Sequence, residues 1–324
     1  LPLLRPPGPG RGTDLPQLRR DAVGPLPPAA GRDIGGRMAP ATILVSGAGG
    51  LLGRSLAALS TTGRPVVALS HADLDIADPG SVRAALDRHR PAAVVNAAAM
   101  TDVDGCERDP EAARRANVEG PLALAVACRE TGARLVHVST DFVFDGAKRE
   151  PYTVEDTPNP ISVYGRTKLE GEEAVLAELP EATVVRTSWV FGAGGKNFAS
   201  RLFDYAARST TLKGIVDMRS LPTYAPDLAT RLVEIVEAGH WGTFHVVGGG
   251  EPATWFDVAR AALDAAGRTD VELLPVTVAE LGLPAPRPAY SAMRCMLSER
   301  LGLAPLRPWR DAIVEFAREA SGRG

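Results

Sequence analysis

The 324-residue chain has little cysteine, lysine or histidine. Its three cysteines, Cys106, Cys128 and Cys295, lie far apart and make no CxxC pair. That spacing excludes a disulfide scaffold and a zinc ribbon, and it fits a reducing compartment. The five histidines, His71, His89, His137, His240 and His245, show no metal-ligand spacing, so no metal site is expected. A net charge of -3 provides no basic field, which argues against a nucleic-acid partner. Arginine outnumbers lysine 32 to 4, a compositional bias rather than a nucleic-acid signal. No apolar run of about 18 residues is present, so no membrane span or membrane partner is expected.

What remains is ordinary globular material, 45% hydrophobic and 23% charged. Residues 1–37 differ from the rest. They are rich in Pro, Gly and Arg and hold no apolar h-region, so they read as a disordered leader or as a non-native extension upstream of Met38. The body then reads as a cytoplasmic enzyme-sized unit.

From Thr42 onward, short apolar strands alternate with helices. Strands are expected at 42–46, 65–69, 92–96, 135–139 and 183–188, with helices at 51–60, 81–89, 111–131 and 164–179. That order predicts an α/β, Rossmann-type, doubly wound parallel sheet covered on both faces. Beyond Trp189 the alternation loosens. Residues 196–212 read as helix, 225–238 as amphipathic helix, 243–247 as strand, and 254–266 and 309–320 as helices. The domain reading is therefore 38–195 for the nucleotide-binding unit, with 213–250 returning to it. Residues 196–212 and 251–324 form a smaller C-terminal substrate lobe.

Gly47, Gly50 and Gly53 form G-x-x-G-x-x-G between the first strand and its helix. A tight turn, close approach of backbone to a pyrophosphate and a helix N-terminus all need glycine there. The pattern points to a dinucleotide. Its type stays open. The second strand ends in Leu69-Ser70-His71, with Asp73 late for a ribose acid. Arg54 suits a 2′-phosphate or a solvated helix face equally. The balance leans to NADPH, with NADH as the alternative.

Tyr164 and Lys168 stand four apart on a predicted helix and so share a face. A chain with this content holds about 0.06 such pairs by chance, so the signal is stronger than the glycines. A nearby ammonium stabilises a phenolate, and such a Tyr can deliver a proton to a carbonyl oxygen. Thr140 ends the strand before that helix, at the edge where open α/β sheets bind ligands. Its hydroxyl is placed to hold a substrate oxygen or to cap the next turn. Asn96-Ala97-Ala98-Ala99 ends the preceding strand in small residues that allow close approach of a cofactor or tight packing.

Together with Ser139-Thr140-Asp141-Phe142-Val143-Phe144-Asp145-Gly146, Arg186-Thr187-Ser188-Trp189 and Arg287-Pro288-x-x-Ser291, these phrases resemble the extended short-chain dehydrogenase/reductases. Within them the chain is most similar to the dTDP-4-dehydrorhamnose reductases, over about residues 40–320. The resemblance implies Thr140, Tyr164 and Lys168 as the catalytic trio. It implies cofactor contacts from Gly47, Gly50, Leu51, Leu52, Gly53, Arg54, Asp75, Ile76, Asn96, Ala97, Ala98, Ser139, Tyr164 and Lys168. Substrate contacts would come from Thr101, Thr140, Asp141, Phe142, Trp189, Asn197 and Arg287. The implied reaction reduces the C4 ketone of a dTDP-4-keto-6-deoxyhexose, a nucleotide-sugar partner, and a homodimer is the family-level expectation. Phe142 replaces the family's usual Tyr. The stretch Asp217-Met218-Arg219-Ser220-Leu221-Pro222-Thr223 lacks the family's Gln and Gly. A 4,6-dehydratase would want an acid at position 142. A sugar-nucleotide epimerase, and a non-catalytic role like that of the regulatory β subunit of methionine adenosyltransferase, are the other readings.

Overall fold

The computed structural model describes residues 42–63, 65–194, 198–296 and 301–320. The leader 1–37 and Asn197 lie outside the described residues. Six parallel strands form the main sheet: β1 (Ile43–Ser46), β2 (Val66–Leu69), β3 (Ala93–Asn96), β4 (Arg134–Thr140), β5 (Thr183–Thr187) and β9 (Gly242–His245). Their spatial order is β2-β1-β3-β4-β5-β9. The chain runs outward from β1 to β2, then crosses back to β3 on the other side of β1. The crevice at that reversal is where open α/β sheets bind ligands.

Strands β1, β3 and β5 are buried along their whole length, as expected for central strands of a sheet covered on both faces, and this burial includes the polar Ser46, Asn96 and Arg186. Helices cover both faces. On one, α1 (Leu51–Ala58) packs on α8 (Ala225–Ala238). On the other lie α2 (Pro79–His89), α5 (Gly120–Thr131) and α6 (Val163–Glu178). Leu44, Leu56 and Leu124 are fully buried in these layers. Each such side chain contributes about 1.5–3 kcal/mol of burial. Sequence signals set the helix ends. Asp78 caps α2 by accepting from Gly80 N, Pro79 opens it, and Ser162 caps α6 through Gly165 N.

The helix read over 111–131 is interrupted. After α3 (Val103–Arg108) and α4 (Pro110–Arg114), residues Arg115–Glu119 form a π turn before α5. The turn aims Asn117 at the loop after β3. There its Oδ1 accepts from Met100 N at 2.9 Å and its Nδ2 donates to Met100 O at 3.1 Å.

The smaller lobe differs more from the sequence reading. The helix read over 196–212 is described only at Phe198–Ala206, as α7. Residues Thr211–Ile215 form instead a strand, β7, paired in parallel with β10 (Glu272–Val276). Positions 213–215 thus join this second sheet rather than the main one. Both strands are half-exposed, and Gly214 and Pro275 interrupt their patterns, so neither reads as a strand. Gly214 sits there because a Cβ would meet Phe256 Cα at 2.8 Å. Strands β6 (Val190–Phe191) and β8 (Thr223–Tyr224) form a third, two-stranded sheet. Helix α9 (Trp255–Ala265), opened by a Thr254–Asp257 capping box, packs against the last described helix, α11 (Trp309–Ala320).

Candidate active site

Two clefts lie over the C-terminal ends of the main strands. The larger, of about 580 Å³, is lined by Gly47, Gly49, Gly50, His71, Asp75, Ile76, Ala97, Ala98, Met100 and Arg115 among others. The turn beneath it requires glycine. Gly47 has φ +79°, and a Cβ there would meet Ala98 N at 2.7 Å. A Cβ on Gly53 would lie 2.1 Å from Gly47 O, so strand and helix close only on glycine. Gly50 precedes the first turn of α1 with no side-chain cap. The backbone N–H groups of that turn face a cradle with no Cβ in the way, which fits the pyrophosphate of a dinucleotide.

The other residues expected at a cofactor are placed unevenly. Ala97, Ala98, Asp75 and Ile76 line the cleft. Asp75 pairs with Arg115 at 3.1 Å, and its Oδ1 accepts from Ala77 N. Leu52 instead packs into the core beside Ile43 and Val45. Leu51 lies against Gly192, and Arg54 donates through Nε to Gly49 O and reaches toward Gly194. The side chains of Asn96 and Ser139 face inward. Asn96 binds Ser46, His137 and Ala98, and Ser139 donates to Glu172 at 2.5 Å. They support the cleft from beneath rather than line it.

The second cleft, of about 300 Å³, is lined by Thr101, Val103, Thr140, Asp141, Phe142, Tyr164, Trp189, Ile215, Met218, Trp255 and Arg287. Thr140 ends β4, and Tyr164 and Lys168 share the buried face of α6. The Thr140 hydroxyl hydrogen-bonds the Tyr164 phenol and donates to Asp141 Oδ1 at 3.1 Å. Burial, aided by the Asp141 carboxylate, pushes the Tyr164 phenol above its ordinary range. The depression expected from a neighbouring ammonium is therefore not what the fold produces. Lys168 Nζ donates instead to Val138 O at 2.7 Å, and burial draws its pKa down to about 8.

Asp141 is 2% exposed and accepts from three hydroxyls: Thr140, Ser220 at 3.1 Å and Ser291 at 2.5 Å. Burial raises its carboxyl to about 6 against the pull of those donors. Ser220 lies between β7 and β8 and Ser291 beyond β10, so Asp141 ties both segments to the end of β4. Ser220 occupies the position where the sequence lacked an expected Gly.

The walls are aromatic. Phe142 sets its ring edge-on to Tyr164, centroids 5.5 Å apart. Trp189 stacks on Trp255 at 3.8 Å and 8°. Trp189 holds φ +44°, a left-handed conformation costly for a bulky residue and concentrated at functional sites. Arg287, which lines the cleft, pairs with Asp104 at 2.8 Å. Trp255, Met218, Ile215 and Val103 were missed in the sequence. Their only local signal was the Thr254 cap before Trp255. Among the described residues no cluster of His, Cys, Asp and Glu suits a metal.

The comparisons agree with this geometry. The model of the RmlD substrate binding domain matches residues 41–321. A dTDP-4-dehydrorhamnose reductase of Streptomyces griseus is 41% identical over 287 residues, covering 86% of this chain and 94% of that protein. A probable dTDP-4,6-dihydroxy-2-methyloxan-3-one 4-ketoreductase of Streptomyces antibioticus is 42% identical over 275 residues, covering 84% and 93%. The crystal structure of dTDP-4-dehydrorhamnose reductase from Bacillus anthracis, in complex with NADP, superposes with a TM-score of 0.83 at 30% identity, covering 86% of this chain and 99% of that one. With a family model that matches residues 41–321 and relatives about 41% identical over most of the chain, the chain belongs to the RmlD substrate binding domain family.

Proposed function

We propose that this protein reduces the C4 ketone of a dTDP-4-keto-6-deoxyhexose with NADPH, giving dTDP-L-rhamnose or a closely related sugar nucleotide. The observation that carries the reading is the placement of Thr140 and Tyr164 in the smaller cleft, with Lys168 buried one turn along the same helix. Gly47, Gly50, Ala97 and Ala98 would hold the dinucleotide in the larger cleft, with Asp75 and Ile76 beside it. Bound there, the nicotinamide supplies the hydride. Burial keeps Tyr164 protonated, so its phenol has a proton to give the developing alkoxide. Thr140 orients the carbonyl oxygen beside that phenol. Trp189 and Trp255 exclude water and offer aromatic faces to a sugar ring. Arg287, already paired with Asp104, would offer its remaining N–H groups to a charged diphosphate.

Phe142 and Met218 make the sugar wall less polar than hydroxyl-bearing residues would. A ketoreduction of another deoxysugar nucleotide is therefore the second reading. In both, residues 251–296 and 301–320 with β7 would cover the sugar, and the six-stranded unit would hold the cofactor. No helix among the described residues is long and apolar enough to cross a membrane. We place the protein in the cytoplasm, as its three free cysteines suggest, and as a homodimer, which sedimentation would check.

The test is cofactor oxidation, followed by absorbance, with NADPH and then NADH. The substrate is dTDP-4-keto-6-deoxyglucose, supplied with and without a 3,5-epimerase. Oxidation only with the epimerase supports the rhamnose product, and oxidation without it supports the second reading. Cofactor binding with no oxidation in either arm would overturn both.

A further inference from the structure

The amine of Lys168 is buried at the foot of the candidate site, and its second neighbour is unusual. Besides Val138 O, its Nζ lies 3.4 Å from Nε2 of His137, a fully buried residue on β4. Which proton lies between the two nitrogens is decided on the far side of the imidazole. Asn96 Oδ1 accepts from Ser46 Oγ at 2.7 Å and from Ala98 N at 3.1 Å. A backbone N–H can only donate, so the amide has one orientation. Its Nδ2 then faces His137 Nδ1 at 3.0 Å. That amide nitrogen also only donates, so Nδ1 accepts and carries no proton.

Burial, with Lys168 beside it, holds the imidazole well below its ordinary pKa, hence neutral. A neutral ring with a bare Nδ1 carries its proton on Nε2, facing Lys168. An ammonium has no lone pair, so Nε2–H and the charged lysine confront each other as two donors. A neutral amine accepts that proton. The chain Ser46, Asn96, His137, Lys168 thus favours the neutral lysine. The charged and titratable groups around it are few. Tyr164 and Glu172 flank it one turn to either side on α6. Glu172 favours the ammonium but is itself held by Arg186 of β5 at 2.6 Å and by Ser139 of β4. His137 is the group from β4.

We propose that His137 is a positioning residue whose Nε2–H, oriented through Asn96 and Ser46, sets the charge state of Lys168 and thereby the alkaline limit of turnover. The role in turnover rests on the reductase reading; the effect on Lys168 does not. The strand that ends in the cofactor cleft would then be wired to the catalytic lysine through three side chains.

The test uses the full chain without cofactor. Two-bond nitrogen correlation spectra of His137 are expected to show Nε2 protonated and Nδ1 bare from pH 6 to 9. A ring protonated on Nδ1, or doubly protonated, would overturn the proposal whatever any variant does. In His137→Phe, a lysine nitrogen titration is expected to show Lys168 about tenfold less acidic, the scale of one hydrogen bond. His137→Gln, which keeps an N–H donor, is expected to restore most of the difference. An unchanged Lys168 titration in a folded His137→Phe would also sink it. If the native chain reduces the keto-sugar, the alkaline fall of kcat should move up in pH with Lys168 in His137→Phe and stay in His137→Gln. Failure to reduce any keto-sugar would remove the reductase reading and leave the lysine result standing.

Discussion

The two halves of the cleft are built by different means. The cofactor half rests on backbone. Glycines 47, 50 and 53 and alanines 97 and 98 bring chain against chain, and the polar side chains beneath them bond to one another. The sugar half rests on large side chains from separated segments. Trp189, Met218, Trp255 and Arg287 meet only because two minor sheets and α9 fold over the main one. Where backbone makes the site, the residue type is nearly forced. Where side chains make it, many combinations suffice, and the substrate is chosen there.

The seam between the halves is where the comparison breaks most sharply. Tyr164 belongs to the main fold yet lines the smaller cleft. Tyr164→Phe keeps the ring that meets Phe142 and removes the proton. Its kcat is expected to fall about 10²–10⁴-fold, the usual contribution of a positioned acid. Cofactor affinity, measured by fluorescence titration, should not change. A variant that turns over like the native enzyme would remove Tyr164 from the proton step.

Asp141 sharpens the same seam through pH. Its folded pKa, about 6, lies above the ordinary carboxyl value of 3.8 because of burial. The folded state therefore binds more protons than the unfolded state between those values. Stability from this group is greatest below about pH 4 and is lost as pH rises through about 6. The span corresponds to about 2–3 kcal/mol. Asp141→Asn cannot titrate. Denaturant midpoints of native protein minus variant should thus fall between pH 4 and 6 and stay level above. A flat difference would mean that the three hydroxyls hold the carboxylate as well as water does.

Much of the main fold was legible because its signals are local and forced. Apolar strand runs, the glycine turn and the Tyr164–Lys168 spacing each carry their own physical reason within a few residues. The smaller lobe was harder to read. β7 and β10 are half-exposed strands, broken by Gly214 and Pro275, that make sense only as a pair 61 residues apart in register. Trp255 and Met218 reach the site through tertiary packing, which no spacing in the chain announces. Ser220 looked like a lost glycine, and only the fold shows its hydroxyl at Asp141. His137 showed no metal-ligand spacing in the sequence, and only the fold sets Asn96 and Lys168 on either side of it.

The smallest effect we expect tests the sugar half alone. Trp255 opens α9 and lies flat on Trp189, whose strained backbone is fixed where Thr223 N donates to its carbonyl at 3.3 Å. Such a stacked pair is worth about 0.5–1.5 kcal/mol beyond the area it buries. If the pair forms the wall against which a sugar rests, Trp255→Ala should raise KM for the keto-sugar about threefold to tenfold. KM for the cofactor should stay put, because that ligand would lie over the glycine turn. Trp255→Phe keeps a ring in the stack and should recover most of the loss. A drop in thermal midpoint with both KM values unchanged would make Trp255 a packing residue of the lobe. The contrast between a backbone-built cofactor half and a side-chain-built sugar half would then have to rest on Trp189, Met218 and Arg287 without it.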